Sequence, residues 1–410
     1  MINLWVAIRF AGPGRVKITP PSMQDAPCGA HDVRSHGKAT ATGDTSIPSP
    51  FASRHDLIVH SHEPYNAEPR LDRLRAASIT RQSDFYVRSH GNIPQLDGAG
   101  HRLKVGGLVR TPLELTVDNL RTRFTERSVM AVMQCAGNRR ADMQGVKPTS
   151  GDPWAPGAIG NAVWTGVSLR DVLHAAAAEA DPALHVAFDA CDDVDMQGEG
   201  HFKYGVSIPM PKAVSPDVLL AYAMNGEALA PEHGYPLRVV VPGFAGVRSP
   251  KWLSRITVQD APSDNHMQAR DYKLLPADVT EGTVDWDQGV TIYDMPLNSA
   301  ICEPAANSVL DAGRTTLRGY AVVTARTIVR VDVSIDGGRS WSQAKLEHDA
   351  AALWSWTFWS ITLDLQEGSH ELVVRAWDSA GQTQPAQPDD VWNFKGYLSA
   401  AWHRIQVSAR

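Results

Sequence analysis

Seven consecutive residues, Gln134-Cys135-Ala136-Gly137-Asn138-Arg139-Arg140, concentrate more chemistry than any other run of this chain. A cysteine set among a glycine, an asparagine and two arginines is not a core-packing combination. Nearby fixed positive charge lowers a thiol's pKa, so Cys135 is expected as a thiolate, which serves as a nucleophile or as a ligand for a soft metal. The two adjacent guanidiniums add a planar, multidentate grip for an oxyanion or phosphate. A protease-type thiol needs a partner histidine and an oxyanion site. No local signature selects one of the 15 histidines for that task, and metal ligation is the better reading.

An apolar run at 129–133 delivers Cys135 at the end of an expected strand, and a glycine-bearing loop after a strand is a common way to present a reactive group. Around it the texture mixes short strands (57–60, 85–90, 101–108, 186–188, 237–241, 253–258) with short helices (72–77, 80–83, 168–179, 217–225). That mixture predicts an irregular α+β domain over 54–277 rather than a doubly wound one. From about Val279 helical spacing fades and alternating strands follow at 316–322, 328–335, 356–363 and 371–376, with Asp336-Gly337-Gly338 as a hairpin signal. This predicts an immunoglobulin-like β-sandwich over 278–410, with Trp341, Trp354, Trp356, Trp359 and Trp377 in its core. Residues 1–53, rich in Gly, Pro, Ser, Thr and Ala, read as a disordered tail or as a start placed too far upstream.

The 410 residues suit two or three domains, and the net charge of -6 argues against nucleic-acid binding. The four cysteines are far apart, with no C-x-x-C pair for a structural zinc. No apolar stretch reaches the length of a membrane span. No targeting signal is legible, which points to the cytoplasm, or to the periplasm if the N-terminal stretch is misassigned.

The run 134–140 resembles the cofactor signature of the sulfite oxidase family, which includes sulfite dehydrogenases and the molybdenum domain of eukaryotic assimilatory nitrate reductases. Further motifs follow in the family's order. Phe85-Tyr86-Val87-Arg88-Ser89-His90 is similar to F-x-V-R-N-H, with Ser89 for the usual Asn. Tyr204-Gly205 with Ser207-Ile208-Pro209, the segment 220–226, the segment 233–243, Lys251-Trp252-Leu253 and Asp271-Tyr272-Lys273 are all close to family pattern. Val391-Trp392-Asn393-Phe394-Lys395-Gly396 and Ala401-Trp402-His403-Arg404 resemble its closing W-N-x-R-G and A-W-H-R. The likeness runs from about residue 55 to 408.

The resemblance implies a molybdenum held by molybdopterin, with Cys135 as the protein thiolate on the metal. It places Tyr86, Val87, Arg88, Ser89, His90, Asp192, His233, Arg238, Ser249 and Lys251 around the cofactor, and Arg238 and Lys251 are chemically suited to its phosphate. It places Arg88, Arg140, Trp154 and Tyr272 on the substrate side. Lys395 joins them where the family usually has arginine, keeping the charge and losing the planar fork. The implied reaction is oxidation of sulfite to sulfate, in a homodimer formed through the C-terminal domain. Because no C-x-x-C-H haem motif occurs, the expected electron acceptor is separate, such as a c-type cytochrome. The rival readings are nitrate or sulfoxide reduction on the same cofactor, and a cofactor-free Ig-like binding protein.

Overall fold

The computed structural model describes residues 56–196 and 200–410. The expectation for residues 1–53 lies outside them. The first half is built on two five-stranded sheets. One orders Glu227–Ala228, Leu219–Met224, Ile159–Ser168 and Glu126–Gln134, with Arg238–Val240 also paired to Leu219–Met224. The other orders Leu113–Leu115, Leu103–Gly107, Leu253–Gln259, His185–Met196 and Gly200–Pro209. A single apolar core draws Leu103, Val105, Phe188 and Ile256 from the second sheet and Val167, Leu220 and Val239 from the first. Helices are short: Leu71–Arg75 and Leu169–Ala175 are among the expected ones, and 80–83 reduces to the single turn Gln82–Asp84.

Two expected elements differ. The run 217–225 is a strand, Leu219–Met224, not a helix. Nearly all of it is buried between neighbouring strands, and a short run buried on both faces has no periodicity to separate strand from helix. The segment 85–90 is extended but pairs only at Val87, whose backbone exchanges bonds of 2.8 and 2.9 Å with Ala67.

Glu126–Gln134 matters most for the site. It pairs antiparallel with Ile159–Ser168 in one unbroken register, from Glu126 opposite Val167 to Gln134 opposite Ile159. The amide of Cys135 continues the ladder to the Ala158 carbonyl at 2.9 Å. Alternation then gives the C-terminal end of the strand two packed faces. Met133 and Cys135 join a cluster with Tyr86 and Trp164, while Val132 packs against Tyr320 and Trp356 of the second half.

That second half is a sandwich of a four-stranded sheet (Asn298–Glu303, Gly313–Val322, Thr357–Leu365, Lys345–Glu347) on a five-stranded one (Val309–Leu310, His403–Ala409, Gly368–Asp378, Ile328–Ser334, Ser342–Gln343). Gly337 and Gly338 take φ of 77° and 93° in the predicted hairpin turn. Of the five tryptophans expected inside, Trp359 is in the sandwich core. Trp356 instead fills the joint between the halves, Trp354 packs on the first half, and Trp341 and Trp377 lie under the Arg375 guanidinium at 3.8 and 4.6 Å. Their indoles cover cations and joints, tasks that strand alternation does not encode. Among the described residues no helix is long and apolar enough to cross a membrane.

Candidate active site

Cys135 lies just past its strand and is 6% exposed. Its Sγ accepts the Gly137 amide at 3.4 Å. Charge alone predicts an acidified thiol, but burial pushes the pKa above its ordinary value, with Arg140, Arg88 and the Gly137 amide pulling the other way. Desolvation of the thiolate outweighs the neighbouring guanidiniums. A metal ion bound there would supply the missing charge, because a coordinated thiol is deprotonated outright.

The paired-guanidinium grip also needs correction. Arg139 adopts φ 66° and is fully buried. Its guanidinium turns away from the thiol to Asp142 at 2.7 Å and to Asn298 Oδ1 at 2.7 Å. Arg140 alone of the two faces open space, and its neighbour there is Arg88.

A cavity opens beside Cys135. Tyr86, Arg88, Ser89, His90, Asp192, His233, Arg238, Ser249, Lys251 and Tyr272 line it together with the cysteine. Val87 does not, because its side chain packs with Tyr65 and Ala67. The hydrogen bonds of Arg238 end on neutral acceptors, the carbonyls of His233 (2.8 Å) and Ser249 (3.0 Å) and the Met133 sulfur (3.0 Å). Those of Lys251 end on Ser89 Oγ (2.8 Å) and the Glu232 carbonyl (3.0 Å). Burial pulls Arg238 down to about 10. Burial, and then the Arg238 charge, pulls Lys251 to about 7. Asp192 is pushed up to about 6 by burial, against the pull of Lys251, and its Oδ1 has no hydrogen-bond partner.

A second cavity shares Arg88 and His90 with the first and adds Arg140, Lys395, Asp152, Asp271 and Tyr397. Arg140 is tied back by Nε to the Lys395 carbonyl (3.0 Å) and by Nη1 to the Asp152 carbonyl (2.8 Å). Three glycines surround its side chain. A Cβ on Gly396 would stand 2.4 Å from Arg140 Cγ, one on Gly137 2.5 Å from Nη2, and one on Gly151 3.0 Å from Nη1. Lys395 Nζ meets Asp271 at 2.5 Å. Tyr272 links the cavities: its hydroxyl is 2.6 Å from His90 Nε2, and its ring stacks on Tyr397 at 5.1 Å. Burial raises the Tyr272 phenol, with Arg88 opposing. Burial first, and then Arg88, drives His90 well below its usual value. Trp154 lines neither cavity. It is fully buried, edge-on to His60 at 4.7 Å. Asp152, Asp271 and Tyr397 were not singled out from the sequence; the only signal for Asp271 was its place beside Tyr272 in Asp-Tyr-Lys.

Residues 90–267 match the model of the oxidoreductase molybdopterin binding domain, and residues 289–410 that of the Mo-co oxidoreductase dimerisation domain. The chain is 42% identical to the sulfite oxidase of Gallus gallus, over 87% of this chain and 79% of that one. The chain belongs to the sulfite oxidase family. Its likeness to the sulfite oxidase of Arabidopsis thaliana is 37% over 85% of this chain and 93% of the other. The crystal structure of the sulfane dehydrogenase SoxCD from Paracoccus pantotrophus superposes with a TM-score of 0.73 at 26% identity, covering 91% of this chain and 93% of that one.

Sulfite-oxidase-family membership makes the protein an enzyme whose cofactor is molybdenum in molybdopterin, and the first cavity fits that group. Two buried basic side chains whose hydrogen bonds end on neutral acceptors suit a phosphate. The unpartnered Asp192 oxygen suits the N–H edge of a pterin. Cys135 offers the soft donor such a metal takes. Arg238→Ala is expected to lower cofactor affinity by about tenfold or more, the weight of a charge-assisted bond. Molybdenum content by plasma mass spectrometry, with fluorescence of the released pterin, checks this.

Proposed function

We propose that this sulfite-oxidase-family enzyme oxidises sulfite to sulfate, works as a homodimer through its C-terminal sandwich, and passes electrons to a separate acceptor such as a c-type cytochrome. The observation that carries the reading is the second cavity: three cations, Arg88, Arg140 and Lys395, face two carboxylates, Asp152 and Asp271, which leaves it net positive and open beside the Cys135 pocket. A small oxyanion is the ligand such a cavity favours.

When bound, the molybdenum–pterin group supplies two-electron oxo-transfer chemistry. The chain supplies the rest. With Nε and Nη1 tied back, Arg140 has Nη2 to give to a substrate oxygen. Lys395, held at 2.5 Å by Asp271, adds a point charge from the opposite side of the chain's sequence. Tyr272 keeps its proton because burial disfavours the phenolate, while His90 stays neutral beside it. The phenol therefore donates a hydrogen bond at the boundary of the two cavities and holds a proton at Oη that a departing sulfate or an entering water can exchange.

Steady-state assays test the reading. The molybdenum-loaded enzyme is expected to reduce ferricytochrome c when given sulfite, and to leave nitrate and methionine sulfoxide untouched when given reduced viologen. A sulfite rate at background with rapid nitrate turnover would replace sulfite by nitrate in the proposal.

A further inference from the structure

The loop that carries Cys135 is fastened by residues 152–158 of its own half and also by the other half of the chain. The Ala136 carbonyl accepts the Leu398 amide at 2.8 Å. Asn138 Nδ2 donates to the Tyr320 hydroxyl at 3.4 Å. Arg139 Nη1 donates to Asn298 Oδ1 at 2.7 Å and to the Ser299 carbonyl at 3.2 Å. Arg140 Nε ends on the Lys395 carbonyl, as described. These contacts fall on consecutive parts of one short loop.

The sandwich side of this contact is itself rigid. Asn298 and Tyr320 come from paired strands, Asn298–Glu303 and Gly313–Val322. The Asn298 amide is fixed because Nδ2 donates to the Ser399 carbonyl at 2.8 Å, which turns Oδ1 towards Arg139. The Tyr320 hydroxyl donates to the Pro156 carbonyl at 2.8 Å, so one phenol holds both the loop and the segment behind it. Asn138, Arg139, Asn298 and Tyr320 are all essentially inaccessible to solvent. An apolar joint would stabilise the two halves at least as well as these buried polar groups. What a fixed polar set adds is direction: it allows one orientation of the loop and penalises others with unsatisfied donors.

We propose that the strand pair bearing Asn298 and Tyr320 is a template for the Cys135 loop, and that Asn298, Tyr320 and Arg139 are positioning residues for the thiol and for the Arg140 guanidinium. This rests on reading Cys135 as the molybdenum ligand. The second half of the chain then has a task inside each subunit, besides any between subunits.

The test reads the thiol directly, in cofactor-free protein. Iodoacetamide labelling of Cys135 is followed by peptide mass spectrometry in wild type, Asn298→Ala, Asn298→Asp and Tyr320→Phe, each first checked for cooperative melting. Asn298→Ala is expected to speed labelling about tenfold, the equivalent of one lost bond to a charged group. Tyr320→Phe, the gentler change, accelerates it less. Asn298→Asp keeps an acceptor for Arg139 but loses the donor to Ser399, so its labelling is expected to be slower than in Asn298→Ala and faster than wild type. Leu365→Ala opens the sandwich core away from the loop and leaves the rate unchanged. Wild-type labelling rates in both Asn298→Ala and Tyr320→Phe would overturn the proposal, as would equal acceleration in Leu365→Ala. Failure of the underlying ligand assignment shows separately, as an unaltered visible spectrum in molybdenum-loaded Cys135→Ser.

Discussion

Gly396→Val is expected to lower kcat/KM for sulfite by about a hundredfold, the usual consequence of moving a reacting-site group by roughly an ångström, while cofactor content stays near wild type. Two costs combine at this position. Gly396 has φ 61°, where a β-branched residue is strained. A Cβ there also meets Arg140 Cγ at 2.4 Å and Cδ at 2.9 Å, so the arginine must leave its channel. Asparagine separates the costs: it tolerates the left-handed backbone yet carries the same Cβ. If crowding of Arg140 is the cause, Gly396→Asn loses as much kcat/KM as Gly396→Val, mostly through KM. Near-normal kinetics in the asparagine variant would mean that backbone strain, not the arginine, explains the loss. Because Gly396 does not line the first cavity, molybdenum analysis distinguishes this effect from loss of the cofactor.

Cys135→Ser is expected to cost still more. A contact that only supports a metal ligand is worth up to about a hundredfold, and loss of the ligand itself exceeds that. Serine preserves the size of the side chain and the acceptor for the Gly137 amide, so the loop keeps its shape. What goes is the soft donor. If Arg238, Lys251 and Asp192 hold the pterin as proposed, the expected outcome is a protein that retains much of its cofactor, has an altered visible spectrum, and turns over sulfite at less than about a hundredth of the wild-type rate. Retention of full activity would remove Cys135 from the metal. Complete loss of molybdenum would instead make the thiolate the principal anchor and the cationic pocket secondary.

Most residues that line the candidate site could be read from the chain because they come in compact, ordered motifs. Cys135, Arg88, Arg238 and Lys251 all lie in such runs, and each lines a cavity. Reading failed where the decisive partner is remote or where neighbours in sequence part company in space. Arg139 and Arg140 look equivalent as letters, but a left-handed backbone at Arg139 sends one guanidinium into the domain joint and leaves the other in the pocket. Asp271 and Lys395 form an ion pair that no local pattern announces. The resemblance puts Trp154 on the substrate side, whereas its ring lines neither cavity and packs edge-on against His60. Fold reading failed in the same way at Leu219–Met224, where burial of nearly every residue erased the alternation that would have marked a strand.

The unbroken pairing of Glu126–Gln134 makes that strand a parity device. Whether a residue emerges towards the cofactor cavity or towards the sandwich depends only on whether its count from Glu126 is odd or even, since no bulge absorbs a change. Inserting one residue within the strand would bring the neighbour of Cys135 to the cavity and aim the thiol at Tyr320. Inserting two would restore its face but carry it about 7 Å too far along the ladder. Length before the cysteine is therefore quantised twice, once by face and once by reach, and only the existing count satisfies both.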